Sequence, residues 1–328
     1  MDLIYTDVNY KEIGFLKKCD VDFELGSFIT SSKNDFQITM SIDQLPKEIE
    51  YGSLIYELGT EVGGMVIGIG SDTSISKAYV YGITWRGMLN RKNILPPPGQ
   101  GYYLARGNAN KVISELINEQ FDGLIVGSSQ SSSIDVSHDF RFTQLGEGIE
   151  KMLSRFNARL NIKSYKINDI LQVIISAVPI NNYSNEIELN NDYGISMIAK
   201  KTKSGINHVI CLGKGELTER TVIHLYKLEN GTITTDSINA IKGIDENVFV
   251  YDYSSAETED DLIEGGKKKF DENCDEESLS IKITENVEIG DIVSARERIT
   301  SIYMQKPVTQ KVIKGYIDKV NIDYKVGD

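Results

Sequence analysis

Three consecutive prolines, Pro96, Pro97 and Pro98, forbid regular structure at one point in the chain and so mark where its pieces must meet. A proline ring clamps φ and removes the backbone donor, so such a run fits neither a helix interior nor a central strand. The stretch from Pro96 to Gly101 predicts a stiff, extended connector. Just before it, "GITWRGMLNRKNI" carries the only tryptophan, Trp85.

The first ninety residues predict strands. In "NDFQITMSI", Phe36, Ile38, Met40 and Ile42 alternate on one face, the period of a half-buried strand. "GSLIYELG", "GGMVIGIG" and "KAYVYGITW" follow, separated by turn residues, so an all-β unit is expected. After the connector, Ala109, Val112, Ile113, Leu116 and Ile117 lie at helical spacing, with Gly107 and Asn108 placed to start the helix. A second helix is expected to carry Leu145, Ile149, Met152, Leu153, Phe156 and Leu160 on one face. "NDILQVIISAVPI" returns to strand character and stops at Pro179.

From Ile187 strands resume, and Asn230-Gly231 between alternating runs predicts a hairpin. Residues Glu257 to Glu277 hold ten acids and three lysines, with Leu262, Ile263, Gly266 and Phe270 as a short stripe. Acids first and lysines later suit a solvated surface helix. A weak repeat relates "EYGSLIYELG" near Gly52 to "EIGDIVSARE" near Gly290, each followed by a hairpin-like stretch and a tyrosine-bearing strand. It is either a coincidence of two glycine-led hairpins or two copies of one β-barrel.

Charge narrows the function classes. The net charge of -13 argues against a stable grip on nucleic acid, although an acidic wall would suit a channel through which DNA slides. No apolar run reaches the roughly 20 residues of a membrane-spanning helix. The first fifteen residues lack a basic segment followed by an apolar core, so synthesis in a cytoplasm without secretory export is expected. Cys19, Cys211 and Cys274 show neither disulfide nor metal spacing.

Catalytic patterns are incomplete. His208 and Cys211 share one expected strand and face apart, with Cys211 read as a small buried apolar residue. His138, His208 and His224 stand in scattered contexts. "DENCDEESLSIK" opens like a calcium loop but has Glu276 where glycine is needed and Lys282 where glutamate is needed. Gly-x-Gly at Gly68 and Gly213 completes no nucleotide fingerprint. No catalytic, metal or cofactor-binding residue is assigned, and no cofactor is expected.

The order of elements from "AYVYGITWRGMLNRKNI" through the prolines to "GNANKVISELI" resembles the siphovirus gene-product-thirty-seven-like tail proteins of phages of Gram-positive hosts. Those proteins look related to the baseplate hubs of contractile tails. Trp85, Arg86, Gly87, Met88, Leu89 and Arg91 occupy the family's strand-delivered turn, with Trp85 and Met88 where simpler residues are common. Gly107 to Ile117 match its glycine-led helix, and "VEIGDIVSARE" with "YKVG" resembles its closing strands.

The resemblance implies a mainly β fold with α insertions: two tube-like β-barrels and smaller inserted segments. Residues 1–94 would form the first barrel, completed by 162–180, and 95–161 an inserted mixed or helical domain. Residues 181–252 would form a second β domain, 253–278 an acidic helical segment, and 279–328 strands completing the second barrel. The implied protein is a non-catalytic homotrimeric hub in a phage baseplate or tail-like bacteriocin. Its partners would be the hexameric tail tube, a trimeric spike or tip protein, and other baseplate proteins. Trp85, Arg86, Gly87, Arg91, Pro96, Pro97, Pro98 and Gly107 are the candidate junction residues. Trp85 would anchor the last strand, Arg86 and Arg91 would pair with acids, and the prolines would hold the angle. The plainer alternative makes Trp85 a core residue and the prolines a surface loop. Competing functions are a tail-associated cell-wall hydrolase and a receptor-binding module.

Overall fold

Phe36, Ile38 and Met40 are buried along the strand Asp35–Ser41, as their alternation requires. Ile42 is not part of that face. It begins a short 3-10 turn, Ile42–Gln44, and is exposed. The computed structural model describes residues 1–30, 32–117, 119–183, 188–189, 197–281, 287–296 and 303–327. Two units are distinguished: Met1–Ile198 with Leu279–Gly327, and Ala199–Ser278.

In the first unit, Cys19–Gly26 pairs with Asp35–Ser41, which pairs with Lys77–Thr84. The sheet continues through Gly63–Asp72, Leu54–Tyr56, Ile4–Thr6 and Glu12–Phe15. On the other side of Cys19–Gly26 lies Tyr303–Tyr316, then Lys319–Val326, which pairs with Leu279 to Ile281. The C-terminal hairpin therefore extends the N-terminal sheet directly, with Gln310 opposite Gly26 and Tyr316 opposite Asp20. The reason is a shared core: Ile313 and Ile317 bury with Val21, Phe23, Ile38 and Val80. Among the described residues the strand order does not close into a barrel.

The weak sequence repeat is a repeat of hydrogen bonds. Gly52 N–H donates to Val66 O (3.0 Å), Val66 N–H to Ser53 O (2.8 Å) and Ser53 N–H to Glu50 O (3.1 Å). In the same order, Gly290 donates to Val308 O (2.8 Å), Val308 to Asp291 O (2.8 Å) and Asp291 to Glu288 O (3.0 Å). Glu50 N–H is capped by Ser53 Oγ and Glu288 N–H by Asp291 Oδ2. Gly52 and Gly290 take left-handed φ of 93° and 96°, which glycine adopts without Cβ strain. Both following strands bulge at one place, between Val66 and Gly68 and between Val308 and Gln310.

The segment after Lys77–Thr84 opens with helix α1, Trp85–Leu89, and carries α2, Ala109–Ile117, and α3, Leu145–Ser154. Helix α2 buries Ala109, Val112, Ile113, Leu116 and Ile117, the expected face. Helix α3 ends before the expected Phe156 and Leu160. Asn157 turns the chain through φ 51°, a conformation asparagine tolerates, and the strand Ala158–Ile167 begins. That strand pairs residue for residue with Ile170–Pro179, whose other edge holds Ile125–Gly127 in parallel. Residues 162–180 thus pair inside the inserted segment rather than in the N-terminal sheet. The left-handed turn at Asn168 and Asp169 (φ 52° and 62°) folds the hairpin back on itself. Links to the N-terminal segment include buried Ser164, which accepts from Gly59 N–H (2.8 Å) and donates through Oγ to Glu57 O (2.9 Å), and Lys166, whose Nζ lies 2.9 Å from Glu12 Oε2.

In the second unit the strand order is Ile233–Thr234, Val222–Lys227, His208–Leu212, Val248–Asp252. Helix α4, Glu259–Glu272, starts at a Thr258–Asp261 capping box, with acids in its first turn and Lys269 in its last. Its buried Leu262 and Phe270 share a core with Val209, Cys211 and Leu225. The expected division at 252/253 therefore falls inside one unit, because this stripe needs the sheet to cover it. Among the described residues, no helix is long and apolar enough to cross a membrane.

Candidate functional site at the sheet-to-insert junction

Thr84 ends a strand and caps a helix at once. Its hydroxyl donates to Asn34 O (2.8 Å), and Oγ1 accepts from Gly87 N–H (3.2 Å) at the start of α1. Asn34, itself at φ 53°, accepts through Oδ1 from Gly26 N–H (2.7 Å). The strand ends at Gly26 and Thr84 are thereby tied to one buried asparagine. All five residues of α1 are buried.

Trp85 is fully buried among Tyr56, Leu54, Leu89 and the apolar faces of α2 and α3. A Cβ on Gly63 would stand 2.7 Å from its Nε1 and 2.6 Å from the Tyr56 Cβ, so the ring packs where only glycine fits. Trp85 Nε1 has no hydrogen-bond partner among the described residues. A Cβ on Gly87 would meet Asn34 O at 2.4 Å, which explains glycine there.

Arg86 is buried beside Trp85 and clamps Glu61 with two prongs, Nε to Oε1 at 2.6 Å and Nη2 to Oε2 at 3.2 Å. Its Nη1 lies 4.0 Å from Glu150 Oε2 on α3, and its guanidinium covers the Phe28 ring at 5.4 Å. Glu150 in turn accepts from Ser27 Oγ and from Phe28 N–H (2.7 Å). Burial opposes the Arg86 charge, but Glu61, Glu150 and Glu288 outweigh it and hold its pKa above the usual arginine value. The cluster joins the turn after Gly26, the turn before Gly63, α1 and α3. It offers neither a nucleophile with a base nor an open position for substrate.

The candidates separate in the structure. Trp85, Arg86 and Gly87 come together. Arg91 is exposed and, among the described residues, makes no ion pair, so its expected acidic partner is not found. Pro96 and Pro97 are half-buried and Pro98 is exposed, and none joins the core that holds Trp85. The plainer reading, Trp85 as a core residue and the prolines as a surface loop, fits the burial of both. Gly107 takes φ 102° near the end of the strand Tyr103–Asn108, two residues before α2. Glu61, Glu150, Ser27, Phe28 and Asn34 escaped sequence reasoning, because no local pattern marks two acids among 48.

Two further groups bear on chemistry. His208 and His224, expected in unrelated contexts, touch: His208 Nε2 lies 2.8 Å from His224 Nδ1, and His208 Nδ1 lies 2.8 Å from Glu246 Oε1. Cross-strand pairing of Ile210 with His224 brings them within reach. Cys211 points away, towards Gly266 of α4, and burial pushes its thiol up to about 11. It is a core residue and is not activated as a thiolate.

No family model matches the sequence, and no curated protein matches it. Solved structures do match, over almost the whole chain. A prophage MuSo2 43 kDa tail protein from Shewanella oneidensis superposes with a TM-score of 0.54 at 9% identity, covering 100% of this chain and 98% of that one. Prophage tail protein gp18 from Listeria monocytogenes EGD-e gives 0.50 at 12% identity, covering 99% and 94%. The tail protein from Neisseria meningitidis MC58 gives 0.50 at 10% identity, covering 100% and 97%. This chain has the fold of phage tail proteins. At such identities the likeness is one of fold and transfers no residue's role.

Proposed function

We propose that the chain is a structural hub of a tail baseplate, joining a hexameric tail tube to a trimeric spike or tip protein as a homotrimer. The observation that carries this reading is the repeated hydrogen-bond pattern at Gly52 and Gly290 within a tail-protein fold. Two similar tube-like β units per chain give three chains six similar surfaces. A three-fold object then meets a six-fold tube without unequal contacts. The Arg86 cluster supports the reading, because a hub that carries load needs a stiff junction between its sheet and its insert. Other baseplate proteins would surround it, in a virion tail or a tail-like bacteriocin. A net charge of -13 suits an axial channel that does not retain DNA. Imaging the assembled particle with this chain labelled tests the proposal: three copies around the axis between tube and spike are expected, and six copies reject it.

The same reading makes the protein non-catalytic. Purified chain should leave a cell-wall substrate uncleared in a zymogram, with or without divalent metal. Lysis that disappears on a single carboxylate substitution would establish the hydrolase instead.

A further inference from the structure

Two of the chain's three histidines meet on one sheet face of the second unit. Helix α4 covers the other face, where Val209, Cys211 and Leu225 are buried. Side chains alternate along a strand, so His208 and Ile210 point away from α4, as do His224 and Tyr226 on the neighbouring strand. His208 stands opposite Tyr226 and Ile210 opposite His224, which makes the two histidines diagonal neighbours. The Tyr226 ring stacks on that of His208 at 4.5 Å. His208 is buried and His224 is exposed.

The hydrogen bonds define the tautomers. A carboxylate only accepts, so the 2.8 Å contact between Glu246 Oε1 and His208 Nδ1 places a proton on Nδ1. Nε2 of a neutral His208 is then a bare lone pair. It faces His224 Nδ1 at 2.8 Å, so His224 donates from Nδ1. A carboxylate behind one imidazole, and that imidazole's free nitrogen aimed at a second, is the arrangement that supports a metal-bound histidine.

We infer that this pair takes a divalent transition-metal ion of the zinc class, with His208 Nε2 and His224 Nδ1 as ligands and Glu246 steadying His208 from behind. Imidazole nitrogens suit such ions, whereas calcium and magnesium take oxygen. With tetrahedral zinc–nitrogen bonds of about 2.0–2.1 Å, two ligand nitrogens stand about 3.3 Å apart, so the pair must open by about 0.5 Å. Exposed His224 can yield by that much while Tyr226 and Glu246 hold His208. No proton need leave the protein: as the metal takes Nδ1 of His224, the proton there passes to Nε2 of the same ring. Among the described residues, no group of three or more His, Cys, Asp or Glu side chains is placed to hold a metal ion. Water therefore completes the coordination, and the affinity is modest. The site would stand whether or not the chain is a hub.

Calorimetric titration of the full-length chain with zinc chloride, in mildly alkaline buffer, tests the site. The wild-type chain should take up about one ion more than His224→Gln, a difference that discounts any zinc held by surface acids. His138→Gln, which alters the histidine outside the pair, should match the wild type. Glu246→Ala should weaken the uptake ~10-fold or more. Nuclear magnetic resonance of the imidazole rings frees the test from the folding of any variant: in the wild type, zinc should shift the His208 and His224 signals and leave His138 in place. Equal zinc uptake by the wild type and His224→Gln, or His208 and His224 signals unmoved by zinc, overturns the site and leaves the pair as a hydrogen bond alone.

Discussion

Replacing Glu61 with alanine is expected to destabilise the first unit by about 3–5 kcal/mol, because it strands a buried guanidinium. Arg86 would keep Glu150, whose nearest oxygen, Oε2, is 4.0 Å away and already accepts from Phe28 N–H, and the field of Glu288. The loss reflects an uncompensated charge more than the worth of the pair, so Glu61→Gln, which still offers an acceptor, should lose less. The pair is shielded from solvent, so the effect should persist in high salt. Glu115→Ala is the control. Its partner Lys111 is 4.0 Å away on the exposed face of α2, and pairs of that kind contribute at most ~0.5 kcal/mol. Urea unfolding followed by Trp85 fluorescence measures all three variants, because the only tryptophan lies in the first unit. A loss below about 1 kcal/mol for Glu61→Ala would remove the clamp from the account of the junction.

Trp85→Ala is expected to cost about 3–5 kcal/mol, as for other large buried aromatics. The ring is fully buried, and Gly63 leaves no side chain to collapse into the space. Trp85→Phe should be much milder, because it keeps most of the apolar contact and removes an indole N–H that has no partner among the described residues. Circular dichroism follows these variants, which lack the fluorophore. In the unmodified protein, indole emission should be blue-shifted from that of tryptophan in water. Emission at the free-water wavelength would mean an exposed ring and would reject the anchor role.

Local chemistry was readable along the chain. The strand Asp35–Ser41, the face of α2, the Asn230-Gly231 hairpin and the capped helix α4 each follow from a period or a turn residue acting over a few positions. The hairpin turn at Asn168 and Asp169 was equally local, and its signal lay in the pair of residues that tolerate left-handed backbone. The helix expected to run to Leu160 failed because the apolar spacing of Phe156 and Leu160 fits either a helix or the start of a strand, and Asn157 decides between them.

By itself the sequence determined that the chain is mainly β with a helical insert, that three prolines break regular structure after Trp85, and that Gly52 and Gly290 head similar stretches. Only the tertiary structure decided which acids face Arg86, that Arg91 has no such acid among the described residues, that His208 meets His224, and that the C-terminal hairpin joins the N-terminal sheet. Periodicity and turn preference are set by neighbours a few residues apart. A buried charge takes its partner from wherever the fold brings the chain back, here 25 residues away for Glu61, while Glu150 is steadied by Ser27 from 123 residues away. One acid in 48 carries no local mark of being the one that arrives.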